Sequence, residues 1–228
     1  DSTLTKNPGG KEQIVFVENH DTRRLASVAG MNTEKLKAAA TLNLLLGGIP
    51  LIYYGQEIGM KGTQLKGATD GNDIPIREAF EWTADAKGNG MAFWYKNTGP
   101  WWDSTHVKPH DGISVEEQQT DINSLFNHYK KMIELKKSNP ALAYGKYKVA
   151  ENSNDHVFSF YRFTDTEKIL VVVNLSGSPE QALVQIDRAE KYKSAKSLLN
   201  GKTQKVKNYT SLLVNILPYK AQVYKLNK

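Results

Sequence analysis

Two continuous apolar segments near the start of the chain, separated by one helical segment, are the feature that most restricts how it can fold. Residues 14–17 are Ile-Val-Phe-Val, and residues 49–54 are Ile-Pro-Leu-Ile-Tyr-Tyr. Unbroken runs of β-branched and aromatic residues predict strands that are buried on both faces, as in a parallel sheet. Residues 33–46 are rich in Ala and Leu and are followed by two glycines, which predicts a helix. The order strand, helix, strand favours a right-handed parallel unit of an α/β fold.

The middle of the chain predicts a long irregular segment and then a capped helix. Residues 55–113 contain all four Trp and many Gly, and a loop of this length in a compact domain is usually functional. Ser114 and Glu117 form a capping box, in which a hydroxyl group and a carboxylate satisfy each other's backbone amides. We expect one amphipathic helix from there to Pro140, because apolar residues recur at spacings of three and four: Ile122, Leu125, Phe126, Tyr129, Met132 and Ile133.

After residue 143 the sequence changes to short alternating segments that are separated by turn signals. Strands at such regular spacing predict an antiparallel β-sandwich. We therefore divide the chain into one domain at residues 1–142 and a second at residues 143–228. The predicted strands cover residues 146–150, 157–163, 168–175, 182–186, 196–199, 211–216 and 221–226.

Composition excludes several classes of site and partner. The chain has no cysteine, which excludes disulfides and thiolate metal sites. The net charge of +6 comes from lysines spread along the whole chain, so we interpret it as a solvated surface and not as a nucleic-acid footprint. No apolar run approaches the roughly 20 residues that a membrane-spanning helix needs. We therefore expect no nucleic-acid partner and no membrane-spanning segment.

Four polar residues, Glu18, Asn19, His20 and Asp21, follow the first apolar strand. Catalytic groups of parallel α/β folds lie at the carboxyl ends of strands, so this position predicts a functional site. On composition alone an alternative stays open, in which Asn19 and Asp21 begin a turn and His20 packs in a loop.

Several segments resemble motifs of the α-amylase family of retaining glycoside hydrolases, and they follow the family's order. Residues 16–21, Phe-Val-Glu-Asn-His-Asp, resemble the motif at the end of the seventh barrel strand, and residues 48–60 resemble the eighth-strand signature. Residues 74–82 are similar to the loop after that strand, and residues 112–140 resemble the last barrel helix. The resemblance implies an α/β fold, namely the C-terminal part of a (β/α)8 TIM barrel followed by an antiparallel β-sandwich domain.

The resemblance implies an endo- or exo-acting hydrolase of α-glucans, such as starch or maltooligosaccharides, in which three carboxylates act. One Asp attacks the anomeric carbon and one Glu protonates the leaving oxygen, with the two carboxyl groups about 5–5.5 Å apart. Asp21 matches the family's third carboxylate, which stabilises the transition state, and His20 matches the histidine that donates to a hydroxyl group of the same sugar. Such hydrogen bonds strengthen as the sugar gains positive charge.

Aromatic side chains are the weaker candidates for substrate contact. Tyr54 lies in the eighth-strand motif, and the long irregular segment contains Trp94, Trp101 and Trp102. Aromatic side chains combine a flat apolar face with a polar edge, which suits them to stack on sugar rings. Loop tryptophans also commonly only pack, so both interpretations stay open for these residues.

The other two catalytic carboxylates and most of a barrel are not found in this sequence. No segment resembles the family motifs that end the fourth and fifth strands, and the chain supplies two strands where a barrel of this type has eight. Two parallel strands with open edges are not stable alone. We therefore expect this chain, which begins at Asp1, to be the C-terminal half of an enzyme and to be inactive without the N-terminal half.

Cofactor, location and reaction type are less constrained. We expect no metal site in this half, with Asp70, Asn72 and Asp73 forming a turn, while calcium stays open for the intact enzyme. Polymeric starch does not cross membranes, which favours action outside the cytoplasm. The alternatives on the same scaffold are α-glucan transglycosylases, isomerising synthases and non-catalytic carbohydrate-binding subunits. The presence of both His20 and Asp21 disfavours the non-catalytic class.

Overall fold

The structure is a computed structural model that describes most of the chain. The described stretches are residues 12–67, 69–92, 97 and 106–228. Three residues predicted to contact sugar, Trp94, Trp101 and Trp102, lie outside these stretches, so their role stays a prediction.

The described residues cluster into two compact units that interleave along the chain. One unit comprises Lys37–Pro50 and Met132–Lys228, together with the described residues up to Val15. The other comprises Phe16–Leu36 and the described part of Leu51–Lys131. The domain boundary between residues 142 and 143 stays a prediction from the sequence pattern.

The predicted strand–helix–strand order is present at the start of the described chain. Strand β1, Ile14–Val15, pairs in parallel with strand β2, Ile49–Pro50. Two helices lie between them in sequence: α1, Leu25–Val28, and α2, Thr33–Leu45. The parallel pairing and helix α2 are confirmed, whereas the short helix α1 was not predicted.

Both parallel strands are shorter and more exposed than the sequence predicts. Only two residues of each apolar run take part in pairing, and Ile14 and Ile49 are each 52% exposed. Among the described residues, β1 and β2 pair only with each other. A strand is buried on both faces only where further layers cover it, so the prediction of two buried faces is wrong for this structure.

The approach to β2 requires a glycine. Gly48 has a φ of +66°, and a Cβ atom added to it would lie 2.3 Å from the Gln13 carbonyl oxygen. The same oxygen accepts a hydrogen bond from the Ile49 N–H at 2.8 Å. Glycine alone adopts this conformation without strain and leaves room for the neighbouring chain.

The predicted capping box is confirmed at the start of helix α3, Val115–Gln118. The Glu117 N–H donates to Ser114 Oγ at 3.2 Å, and the Ser114 N–H donates to the Glu117 carboxylate at 3.2 Å. Two amides that have no partner inside the helix are satisfied in this way.

The single long helix that was predicted after the capping box is wrong. Helix α3 ends at Gln118, and helix α4 covers Leu125–Ser138. In the turn between them, Ser124 Oγ donates to the Gln118 carbonyl oxygen at 2.8 Å. Such side-chain bonds compete with helical backbone bonds. Ile122 lies in this turn and is 85% exposed, although its spacing predicted a buried position.

A fifth helix, α5 (Pro140–Tyr144), begins where the sequence predicts a stop. Proline lacks an N–H and has a fixed φ, so it ends a preceding helix but is favoured at the first position of a new one. Pro140 occupies that first position, directly after Asn139.

Residues 146–228, all of which are described, form an antiparallel β-sandwich of eight strands. Their bounds are β3, Lys146–Val149; β4, Val157–Phe163; β5, Lys168–Asn174; β6, Glu180–Gln185; β7, Ser194–Ser197; β8, Thr203–Lys205; β9, Ser211–Ile216; and β10, Ala221–Asn227. Six strands form one sheet in the order β3-β4-β5-β10-β7-β8, and β6 pairs with β9 in the other. The predicted sandwich is confirmed, and β8 is the one strand of it that was missed.

The hydrophobic core of the sandwich lies between its two sheets. Leu170 and Val172 of β5 and Leu212 and Val214 of β9 are each at most 1% exposed and belong to one cluster. Leu213, between the last two, points outward and is 49% exposed. This alternation is the pattern expected of a strand with one buried face.

A buried arginine on β4 contacts the ends of two other elements in the same unit. Arg162 is 2% exposed, and its Nη1 donates to the Leu45 carbonyl oxygen at 3.1 Å, at the end of α2. Its Nη2 donates to the Gly145 carbonyl oxygen at 2.7 Å. Burial lowers the pKa of Arg162 to about 10, so it remains a cation at neutral pH. A cation at a helix C-terminus satisfies carbonyl groups that the helix leaves unpaired.

Replacing Leu170 with Ala should lower the free energy of unfolding by about 2–5 kcal/mol, because it leaves a cavity between the two sheets. The matched control is Leu213→Ala, the same substitution on the exposed face, which should change the free energy by about 0.5 kcal/mol or less. Urea unfolding followed by circular dichroism measures both. Equal losses in the two variants would contradict this assignment of the core.

Candidate active site

The segment that follows β1 forms a tight turn with two exposed side chains. The Asp21 N–H donates to Asn19 Oδ1 at 2.9 Å, and the Asn19 N–H donates to Thr22 Oγ1 at 3.0 Å. The turn is therefore built by Asn19 and Thr22. The side chains of His20 and Asp21 are 63% and 60% exposed, with 3.2 Å between His20 Nε2 and Asp21 Oδ2. The structure thus brings the two predicted site residues together at the end of the strand segment.

Arg77 orients the Asp21 carboxylate from the other side. Arg77 Nη2 lies 3.1 Å from Asp21 Oδ1, and Arg77 Nε donates to the His20 carbonyl oxygen at 2.9 Å. A planar guanidinium group that makes two bonds to one segment fixes its direction as well as its distance. Exposed ion pairs add little stability, so the main effect of this contact is orientation.

Arg77 is itself held by a short 3-10 helix, Asp70–Ile76. Asp73 of that helix accepts from Arg77 Nη2 at 3.1 Å and from Gln64 Nε2 at 2.8 Å. Gln64 Nε2 also donates to the Asp21 carbonyl oxygen at 2.8 Å. The Asp73 carboxylate is therefore bonded to neighbouring side chains, which agrees with the predicted turn at this position.

Tyr54 has a partner in the loop after β2. Its hydroxyl group donates to the Glu78 carbonyl oxygen at 2.8 Å, and its ring packs edge-on against Tyr53 with 4.7 Å between the ring centres. The residue is 38% exposed. The hydroxyl group is thus used within the protein, and contact between the exposed part of the ring and a sugar stays a prediction.

A fully buried ion pair, which was not predicted from the sequence, lies in the same unit. Arg24 Nη1 donates to Glu18 Oε1 at 3.0 Å, and the two side chains are 0% and 1% exposed. The other Glu18 oxygen accepts from the Leu25 N–H. Burial raises the pKa of Glu18, while the Leu25 N–H and the Arg24 guanidinium oppose that shift. Nothing in the sequence distinguishes Arg24 from its neighbour Arg23, which is exposed.

A second buried carboxyl group lies in the loop after β2. Glu81 is 3% exposed, and burial raises its pKa from 4.5 to about 8. The nearby carboxylates of Asp111 and Glu78 raise it further, whereas Lys61 opposes them. Glu81 is therefore mainly protonated at neutral pH and titrates near pH 8.

In the stretches that the structure describes, no three His, Asp or Glu side chains come together in a way that could hold a metal ion. The absence of a metal site from this half stays a prediction, and calcium stays open for the intact enzyme.

Glu81 should make the chain less stable as the pH rises from about 4.5 to about 8. Its pKa is higher in the folded state than in the unfolded state, so the folded state binds more protons in this window, and removal of protons favours unfolding. Glu81→Gln should remove this contribution. Urea unfolding across the window measures the slope, with Glu151→Gln, at an exposed site, as the matched control. A wild-type slope in Glu81→Gln would show that Glu81 is not the group that titrates.

Two family models match the chain in succession. The model described as "Alpha amylase, catalytic domain" matches residues 1–145, and "Alpha amylase, C-terminal all-beta domain" matches residues 147–227. The first model alone covers more than half of the chain, which establishes the family.

Two characterised proteins align with most of the chain. Alpha-amylase 3 of Dictyoglomus thermophilum is 32% identical over 206 residues, which are 89% of this chain and 38% of that protein. A 4-alpha-glucanotransferase of Thermotoga maritima is 32% identical over 183 residues, 79% of this chain and 38% of that protein. The chain thus spans less than half of the length of either relative.

A solved structure gives the same result for the fold. The alpha-amylase from H. orenii superposes with a TM-score of 0.72 at 27% identity, over 96% of this chain and 41% of that one. His20, Asp21 and Arg77 lie within the residues that the catalytic-domain model matches, and the β-sandwich lies within those that the C-terminal model matches, apart from one residue at each end. This chain therefore belongs to the α-amylase family of glycoside hydrolases, and it comprises the C-terminal part of the family's (β/α)8 barrel and its C-terminal β-sandwich domain.

Proposed function

We propose that this chain is the C-terminal half of a retaining hydrolase of α-glucans, such as starch or maltooligosaccharides. The observation that carries the proposal is the Asp21 carboxylate, which is 60% exposed at the end of a barrel-strand segment and contacts both His20 and Arg77. Membership of the family supports the enzyme class and the substrate class. The motif match supports the roles of Asp21 and His20.

In this proposal Asp21 stabilises the transition state. As the anomeric carbon gains oxocarbenium character, hydrogen bonds from the sugar hydroxyl groups to the carboxylate shorten and strengthen. His20 donates to a hydroxyl group of the same sugar. Arg77 keeps the carboxylate in one orientation before substrate binds, so little reorganisation is needed during the reaction.

The two groups that make and break bonds come from the N-terminal half of the barrel. A retaining mechanism needs a nucleophile and an acid/base about 5–5.5 Å apart. Among the described residues near Asp21, two other carboxylates are unsuitable as nucleophile or acid/base. Glu18 is buried against Arg24, and Asp73 is paired with Arg77. The exposed Ile14 and Ile49 offer an apolar face that further barrel strands would cover.

The N-terminal half is therefore the proposed partner, either in the same polypeptide or as a second chain, and this chain alone is expected to be inactive. Hydrolysis of maltoheptaose should be absent for the chain by itself. It should appear when an N-terminal α-amylase barrel half is present. Hydrolysis by the isolated chain, shown by mass spectrometry to contain no second polypeptide, would contradict the proposed division of roles.

Asp21→Asn should reduce kcat of the assembled enzyme by about 10²–10³-fold or more, because the neutral amide loses the charge that stabilises the transition state. The matched control is Asp165→Asn, the same change at an exposed residue of the sandwich, which should leave kcat unchanged. Full activity in Asp21→Asn would rule out this role for Asp21.

Transfer of the glycosyl group to a second sugar is the other candidate reaction, and the 32% identity to a 4-alpha-glucanotransferase favours it. Both reactions use Asp21 in the same way and differ in whether water or a sugar hydroxyl group is the acceptor. Chromatography of the products from maltotriose distinguishes them. We expect shorter products to dominate, and abundant products longer than maltotriose would establish the transferase instead.

We also propose that the assembled enzyme acts outside the cytoplasm, because polymeric starch does not cross membranes. The described part of the chain contains no helix that is long and apolar enough to span a bilayer. Activity on polymeric starch as well as on maltooligosaccharides would support this location, and activity on short maltooligosaccharides alone would remove its basis.

A further inference from the structure

Arg24 is a single residue that joins three segments of its compact unit by hydrogen bonds. Its side chain is fully buried, and Nε donates to the Ile76 carbonyl oxygen at 2.9 Å. Nη1 donates to the Tyr54 carbonyl oxygen at 2.6 Å and to Glu18 at 3.0 Å. The Arg24 N–H donates to the Gly62 carbonyl oxygen at 3.1 Å. The end of the first strand segment, the end of the second and the following loop therefore meet at this residue.

Two of these contacts, with Ile76 and Tyr54, lie at or beside residues of the candidate site. Ile76 directly precedes Arg77, whose side chain contacts the Asp21 carboxylate. Tyr54 is itself a candidate for sugar contact, and Arg24 follows Asp21 by three residues in the same segment. A displacement of the guanidinium group would therefore be passed on to the backbone on both sides of Asp21.

The guanidinium group is held in one orientation. Its Cζ atom lies 4.2 Å from the centre of the Tyr53 ring and 4.8 Å from that of Tyr54, which are cation–π distances. A Cβ atom on Gly62 would lie 3.0 Å from Arg24 Cγ, so the chain also closes tightly around the stem of the side chain. A lysine ammonium has no planar fork and does not stack in this way, so Arg24 and lysine are not equivalent here.

Stability alone does not account for this arrangement. A buried ion pair often contributes little net stability, because the loss of hydration offsets the attraction, and its best-attested use is to fix one arrangement of the chain. Arg162 provides a comparison within the same protein. It too is buried and donates to two carbonyl oxygens, of Leu45 and Gly145, but neither adjoins a candidate residue in sequence.

We propose that Arg24 is a positioning residue for Asp21. By binding Glu18 and the carbonyl oxygens of Tyr54 and Ile76 together, it fixes the location of Arg77 and, through Arg77, the direction of the Asp21 carboxylate. Arg24 itself does not contact the substrate. This inference depends on the proposed role of Asp21 for its catalytic meaning, but the positioning itself is a property of this chain.

The test compares Arg24→Lys with Arg162→Lys, because both variants keep a buried charge and lose a planar fork. Nuclear magnetic resonance of the isotopically labelled chain reports on the Arg77 Nε–H group and the His20 side chain. We expect both signals to shift in Arg24→Lys and to stay at their wild-type positions in Arg162→Lys. Thermal unfolding of both variants separates this effect from a general loss of stability.

In the assembled enzyme, Arg24→Lys should lower kcat by about 100-fold with little change in KM, since a displacement of about 1 Å in a catalytic group has an effect of this size. Arg162→Lys should keep the wild-type kcat. An inactive wild-type assembly would count against the proposed function alone, because the resonance comparison does not require hydrolysis.

A second variant keeps the proposal testable if Arg24→Lys does not fold. Glu18→Gln preserves the shape of the Glu18 side chain and removes the charge that holds the guanidinium group, so it should shift the same two signals. Unchanged Arg77 and His20 signals in the folded variant would overturn the proposal. Equal shifts in Arg162→Lys would overturn it as well, because they would show a general response to loss of stability.

Discussion

The buried ion pair between Glu18 and Arg24 is the interaction on which the geometry of the candidate site depends. A guanidinium group removed from water is tolerated only where a carboxylate and carbonyl oxygens replace its hydration, and Arg24 has both. The segments that end at Tyr54 and Ile76 therefore cannot shift separately without leaving a buried donor unsatisfied. An irregular loop region gains one preferred arrangement in this way, and the exposed Asp21 lies next to it.

The parts of the fold that could be predicted from the sequence are those encoded by local patterns. Helix α2 follows from its run of Ala and Leu. Strand β4 has the predicted bounds because apolar residues occur through most of it, and strand β9 because apolar residues alternate within it. The order of elements predicted a parallel pair at β1 and β2. The motif resemblance also predicted that His20 and Asp21 belong to one site; their side chains contact each other in the structure, and their roles stay a prediction.

The parts that could not be predicted depend on contacts between residues far apart in sequence. Arg23 and Arg24 are alike in sequence, yet only the contacts with Tyr54 and Ile76 explain why one of them is buried. The raised pKa of Glu81 depends on its burial and on Asp111. Strand β8 consists of three exposed polar residues, so it has no hydrophobic pattern, and its pairing with β7 alone defines it.

The contact between Arg162 of the sandwich and the last turn of helix α2 has a consequence for the modularity of this protein. The guanidinium group is buried and donates to the Leu45 carbonyl oxygen. This carbonyl group, at the end of a barrel helix, replaces part of the water that the guanidinium group loses on burial. In a sandwich cut out at residue 143, or grafted onto a barrel with a different helix end, Arg162 would keep the Gly145 carbonyl oxygen but lose that of Leu45. Exchange of the sandwich between relatives should therefore work best where this helix end and its arginine are exchanged together.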